Sequence, residues 1–353
     1  MSGIKSTYLQ QQKKYKRIIL ILYVLVPLFF LADLLIGSVT IPLSEVFSVL
    51  TGGESSRRAW DFIILETRLP QSITAVFAGA GLAVGGLLLQ TYFRNPLAGP
   101  DVLGISSGSI LGVAIVLMGA DWMNIEFSFL SGNALLISSS FIGALLVMLI
   151  ISLFAKTARN PVTVIIAGMM LAYLIGALVN LIQHMAAKEG LQQFVFWGMG
   201  SFSGTDLKQS FLFAGGIILT LVPVFLIAGK MNVWTLGETY ARSMGVSPSG
   251  IRRSTIFTTG LLTAIVTAFC GPIAFIGIAV PHLVKRLISS GDHRILIPAV
   301  IAGGALLSLI CSMLSRLPIF EQALPLNAVT SIIGAPVVIL VILGKFKYKG
   351  GVE

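Results

Sequence analysis

The chain has 353 residues, of which 56% are hydrophobic and only 11% charged, well below the roughly 25% charged share of ordinary soluble domains. That balance excludes a soluble globular protein and points to a polytopic membrane protein. A formal net charge of +10 does not make it a nucleic-acid binder, because its Lys and Arg fall in short clusters between apolar runs rather than along one face.

A spanning helix needs roughly 20 apolar residues to cross about 30 Å of hydrocarbon. In chain order such segments lie near 18–38, 70–92, 103–120, 133–155 and 162–185, then near 208–229, 254–270, 295–314 and 326–344. The first follows Lys13, Lys14, Lys16 and Arg17, like the charged start of a signal peptide. It lacks a small-residue cleavage site and reads as a retained helix, with Asp33 as a helix-end residue. From Ser254 to Ser290 the chain would make a helix of about 55 Å, but "CGPIAFIG" breaks it at Gly271 and Pro272. Dividing it there adds a short span and brings the total to about ten.

An even number of spans puts both termini on one side. Of the 24 Lys and Arg, only Arg57, Arg58, Arg68, Lys188, Lys208 and Arg316 face away from that side. The positive-inside rule therefore makes both termini cytoplasmic. The expected architecture is all-α, one transmembrane domain over 1–353, with cytoplasmic tails at 1–17 and 345–353 and no soluble domain.

The spans carry almost no ionisable residues, whereas ion-coupled transporters keep such residues near the midplane. Asn180, Gln183 and His184 cluster at the outer end of the fifth span, and Asn180 and His184 are candidate pathway-lining residues. His184, His282 and His293 lack metal-ligand spacing. Cys270 and Cys311 lie inside apolar runs and read as small buried side chains. There is no Ser/His/Asp arrangement and no GxxxxGK[ST] phosphate loop. The sequence describes a conduit rather than a catalyst, so any energy must come from a partner. The cytoplasmic stretch "LGETYARSMGVSPSGIRR", 236–253, reads as a short helix containing Glu238, Ala241 and Met244, a break at Gly245, and a second turn from Pro248. A unit of that kind can dock as a rigid knob in a partner's groove.

Five motifs then occur in order: "RLPQSITAVFAGAGLAVGGLLLQ", "FRNPLAGPDVLGISSGS", "LGETYARSMGV", "GPIAFIGIAVPHLVKRL" followed by "GDHR", and "AVTSIIGAP". Together they resemble the permease subunits of ATP-binding-cassette importers for iron chelates, haem and cobalamin, the FecCD type, over about Arg68 to Pro336. The resemblance implies a homodimer of permeases in a bacterial cytoplasmic (inner) membrane. It also implies two ATPase subunits that use ATP and magnesium, and a periplasmic or lipid-anchored substrate-binding protein. No cofactor would be bound by this chain. The coupling loop would involve Leu236, Gly237, Glu238, Ala241, Arg242, Met244 and Gly245.

In "YFRNPLAGPDVLGISSGS", Pro96 and Pro100 prevent either neighbouring helix from running on, and Asp101 is placed to cap the third span. The resemblance makes Asn95 part of a cytoplasmic gate, with Asn160, Pro161 and Val162 as a second constriction where some relatives carry small hydroxyl residues. Gly79, Gly81, Gly85 and Gly86 read as close helix packing, while Ser106, Ser107 and Ser109 fit either packing or the pathway. The resemblance also implies that Arg68 and Arg316 dock the binding protein, with either Arg57 or Arg58 substituting for a missing second arginine or docking using fewer ion pairs. The second arginine that usually follows "RLP" in the family is Gln71 here. The stretch Ala187 to Trp197 reads as an amphipathic outer helix over the pathway. An iron(III)-siderophore-type chelate is the expected cargo, with cobalamin or haem as alternatives. The rival classes are a passive channel and an ion-coupled transporter.

Overall fold

The computed structural model describes residues 2–37, 39–119, 132–158, 160–317 and 322–343, and within them every regular element is a helix. The chain opens with α1 (Ser2–Leu35), followed by two short helices, α2 (Leu43–Leu50) and α3 (Arg58–Phe62). A π-helical stretch at 63–68 joins α3 to α4 (Leu69–Phe93), giving one rod from Arg58 to Phe93. A 3₁₀ turn leads to α5 (Ile105–Ala114), which ends in a π turn at 115–119. Two outer helices follow, α6 (Gly132–Thr157) and α7 (Pro161–Met185), then the short α8 (Lys188–Gly198) and the long α9 (Leu207–Thr235). The remaining helices are α10 (Glu238–Ser243), α11 (Pro248–Cys270), α12 (Ile276–Ile288), α13 (His293–Ser315) and α14 (Leu326–Ile342).

Within the described residues, the apolar segments marked in the sequence fall on helices. Among those residues seven helices are long and apolar enough to cross a membrane, and α14 and the stretch 105–119 are shorter apolar helices. The tail 345–353 lies outside the described residues. Large side chains such as Leu146, Tyr173, Leu181, Leu219 and Leu226 are exposed on α6, α7 and α9. In water such faces would drive aggregation; in hydrocarbon they cost nothing.

At the centre stands α4, packed against α13, α9, α11 and α12 and buried along nearly its whole length. Its glycines explain how four helices fit around it. A Cβ on Gly79 would lie 2.2 Å from the Gly304 carbonyl oxygen of α13, and one on Gly86 only 1.7 Å from the Gly277 carbonyl oxygen of α12. Backbone therefore touches backbone, the small-residue packing that holds helices together where no hydrophobic drive separates protein from solvent. The packing reading of these glycines is the one the structure supports.

The break at Gly271 and Pro272 is also present, between α11 and α12. Its freed backbone groups cannot rely on water. Asn327, at the head of α14, takes them up. Its side chain donates to Pro272 O (2.7 Å) and Gly198 O (3.3 Å) and accepts from the Ala274 N–H (3.0 Å). One amide thus ties α8, the break and α14 together.

Gly86→Val should cost about 3 kcal/mol or more through overpacking against backbone that cannot move, read as a lower melting temperature and poor recovery of monodisperse protein in detergent. Gly215→Ala, where an added methyl meets nothing within 4 Å, should leave both unchanged.

Candidate functional site

The corner after α4 is shaped by a residue in a conformation that side chains rarely adopt. Arg94 caps α4 with φ 50°, and the N–H of Asn95 closes back on Gln90 O at 3.2 Å. Glycine usually takes this position because a Cβ there costs about 1 kcal/mol or more. Here the arginine is held from outside. Its Nη2 donates to Trp234 O (2.9 Å), and its guanidinium lies over the Trp234 ring at 5.5 Å. The same indole stacks on Tyr92, with ring centres 5.6 Å apart, and donates Nε1–H to Tyr92 O (3.0 Å). The end of α9 is therefore clamped to the end of α4.

Beyond the clamp the corner is rigid. Asn95 Oδ1 accepts from the Leu97 N–H (2.9 Å), and His282 of α12 donates Nε2–H to Pro96 O (2.7 Å). Asp101 does not cap the next helix. Gly104, at φ 71°, precedes α5, and the Asp101 carboxylate accepts from the Ser106 hydroxyl at 3.1 Å. The glycine starts a fresh helix and leaves no N–H pointing at the carboxylate. Ser106 is buried by that contact, and Ser107 is half-buried beside it.

On the same face lies the 236–253 unit. Gly237 (φ 124°) and Gly245 (φ 76°) bracket α10, whose Glu238 and Arg242 pair at 2.8 Å across one turn. Ala241 is fully buried and anchors it, while Leu236, Tyr240 and Met244 are exposed at spacings of four. The turn expected from Pro248 is the first turn of the long α11, capped by Ser247 accepting from the Gly250 N–H. Asn160 caps α7 by accepting from the Val162 N–H (3.0 Å), with Pro161 in the first turn. Arg252 donates to Ala158 O (3.2 Å), and a cavity of about 40 Å³ is lined by Tyr92, Asn160, Pro161, Trp234, Glu238 and Arg252. The structure thus gathers the 236–253 unit, the corner at 94–101 and residues 160–161 around Trp234. Sequence reading missed Trp234 and Tyr92, whose only signal was an aromatic at the end of each apolar run. Val162 is exposed, as are Asn180 and His184 on α7.

On the opposite end the arginines are differently placed than the sequence suggested. Arg68 is 3% exposed, and it donates to the carbonyls of Leu34 (2.7 Å), Leu35 (3.0 Å) and Val39. Arg316 pairs with the fully buried Asp33, which also accepts from the Ser72 hydroxyl. Both guanidinium groups are occupied in tying α1 to α4 and α13, beside a cavity of about 310 Å³ that also reaches Gln71 and Gln322. Arg57 and Arg58 are exposed at the tip of the preceding loop. Ser56 anchors that loop by donating its N–H (2.9 Å) and hydroxyl to Glu45, which holds the Glu45 carboxyl below its usual range. Among the described residues no group of His, Cys, Asp and Glu could hold a metal ion.

The fold is that of a polytopic helical membrane protein, with backbone-close packing and a short glycine-bracketed helix, α10, at one end. The profile of the FecCD transport family matches residues 24–344, and the chain belongs to that family. It is 33% identical over 339 residues to the vitamin B12 import system permease protein BtuC of Shigella boydii serotype 18, covering 95% of this chain and 97% of that one. The BtuC of Escherichia coli O127:H6 matches equally well. Among solved structures, an inward-facing conformation classed as a metal-chelate type ABC transporter superposes with a TM-score of 0.78 at 28% identity, covering 93% of this chain and 99% of that one. PsaBC from Streptococcus pneumoniae shares the fold, with a TM-score of 0.54 at 13% identity, covering 85% of this chain and 95% of that one. The chain is a transport component, a permease of the FecCD/BtuC type, a class in which a separate subunit hydrolyses ATP.

Asp33→Ala would leave Arg316 facing a site built for its charge and should destabilise the protein by about 3 kcal/mol. Asp33→Asn, which keeps acceptors for Ser72 and Arg316, should cost less. Thermal unfolding of the three proteins in the same detergent checks the order.

Proposed function

We propose that this chain forms the pathway of an ATP-driven importer in a bacterial inner membrane, as one half of a permease homodimer of about ten spans per copy with both termini cytoplasmic. Two ATPase subunits bind beneath the 236–253 unit, and an external binding protein delivers the cargo. The observation that carries this reading is the knob itself. Tyr240 on α10 and Leu236 and Met244 at its two ends expose apolar surface, while Ala241 is buried and anchors the helix, an arrangement that lets a short helix fill a groove in a partner. Asn95, Asn160, Pro161 and Val162 form the cytoplasmic gate in this reading, with Ser106, Ser107, Asn180 and His184 nearer the pathway.

The cargo is a metal chelate. The 33% identical relatives are vitamin B12 permeases, which favours cobalamin over the iron(III)-siderophore-type chelate first expected from the sequence. Proteoliposomes holding the chain, its ATPase and its binding protein should accumulate cyanocobalamin or a ferric siderophore only with ATP. Flux through the chain alone would instead make it a passive channel.

Gly245→Val should separate hydrolysis from transport. An added side chain meets nothing within 4 Å there, so the cost is conformational, at φ 76°. Uptake should fall about tenfold, in line with coupling energies of allosteric systems, at normal protein level. Wild-type uptake by this variant would remove the knob from the mechanism.

On the outer face, Arg57 and Arg58 are the exposed docking residues in this reading, because engaging Arg68 would cost its three carbonyl partners. Reversing both to Glu should slow association of the binding protein, with the larger effect at low salt. Surface plasmon resonance over a salt series reads this. An unchanged rate and salt slope would assign these arginines to the lipid interface.

A further inference from the structure

The last turn of α9 holds a second contact, two residues before Trp234, which the clamp does not include. Asn232 Oδ1 accepts from both the backbone N–H and the ring Nδ1 of His293, each at 2.8 Å, and Asn232 Nδ2 donates to Asp292 Oδ1 at 2.6 Å. The backbone N–H can only donate, so the amide orientation is fixed and Nδ1 carries a proton. The other ring nitrogen, Nε2, lies 2.7 Å from the Thr91 hydroxyl of α4. His293 is 2% exposed and fills the space between α9 and α4. The Asp292 carboxylate also accepts from the Arg294 N–H (2.9 Å), capping α13.

Asn232 and Trp234 therefore grip two successive residues of α4. Trp234 stacks directly on Tyr92, and Asn232 reaches Thr91 through the imidazole of His293. A single contact would let α9 pivot; two, on neighbouring residues, do not. The corner at Arg94 to Pro96 begins two residues beyond the grip.

Resting on the importer reading above, we propose that His293, Asn232 and Thr91 are positioning residues for coupling. They make the ends of α4, α9 and α13 one body, so that displacement of α10 by the ATPase reaches the corner instead of being lost as rotation of α9. Packing supports α9 elsewhere; among the described residues, these contacts and the clamp fix its cytoplasmic end to α4 by directional bonds. The motif "GDHR" then has a physical role at this joint.

The test is hydrogen exchange on the purified permease–ATPase complex with and without a non-hydrolysable ATP analogue, which requires no cargo. In the wild type, nucleotide should change exchange at 238–247 and at 92–98 together. In Thr91→Val, which keeps volume and loses the hydroxyl, and in His293→Ala, the change at 238–247 should remain. The change at 92–98 should shrink about threefold or more. Thr91→Ser should restore it. If His293→Ala does not assemble, Thr91→Val and Thr91→Ser carry the comparison.

A response that reaches 92–98 undiminished in the variants would overturn the joint. So would faster exchange across the whole chain of the variants, which would reduce these residues to general stability. A wild type that responds at 238–247 but not at 92–98 would overturn the joint alone. No wild-type response at 238–247 would overturn the importer reading and the joint with it.

Discussion

Backbone contact between α4 and its neighbours is the constraint on which the remaining structure depends. Gly79 against Gly304 and Gly86 against Gly277 leave no room for a side chain, so the register of α4 against α12 and α13 is fixed to within a fraction of a turn. Both functional ends follow from it. At one end the rod delivers Arg68 and Ser72 to the carbonyls and carboxylate of α1. At the other it delivers Thr91, Tyr92 and Arg94 to α9 and α13. A slip of one residue would turn each of these away by about 100°, given 3.6 residues per turn, and neither the Asp33–Arg316 knot nor the Trp234 clamp would form.

The two ends solve the same problem in different ways. At the Arg68 end charge is buried, and it persists because each partner is satisfied: Asp33 by Arg316 and Ser72, Arg68 by three carbonyls. Buried pairs of this kind contribute little net stability over apolar packing but fix geometry. At the Trp234 end the contacts are aromatic stacking, a cation over an indole, and hydrogen bonds whose charged members, Arg94 and Asp292, are not fully buried. None of them buries a charge as completely as Asp33 is buried at the other end.

Much of this was legible in the sequence. Long apolar runs are helices because nothing else satisfies a backbone in hydrocarbon, and the break at Gly271 and Pro272 needed only local rules. The break of the knob was legible as well, since Gly245 interrupts a helical pattern; that Gly237 bounds it on the other side came from the structure. What could not be read was where long-range folding places a residue. Arg68 looked exposed because it ends an apolar run, yet the rod continues through it to Arg58 and the loop from 39 folds back over it. Asp101 looked like a cap because local spacing allowed it, but Gly104 resets the helix start. Thr91, Asn232 and His293 are separated by up to 202 positions, and no local pattern announces that they meet. Composition carries the element; tertiary closure carries the site.

The central claim is that the knob and the corner belong to one body. Spin labels at Leu97→Cys on the corner and Met244→Cys on the knob, both exposed positions, report their separation by double electron–electron resonance in the assembled, membrane-reconstituted transporter. With only one copy of the permease pair labelled, the account predicts one narrow distance peak whose position is the same without nucleotide, with a non-hydrolysable ATP analogue and after hydrolysis, while a control pair between Met244→Cys and a label at Arg58→Cys, at the other end of the bundle, shifts. A peak for 97–244 that broadens or moves with nucleotide would contradict it.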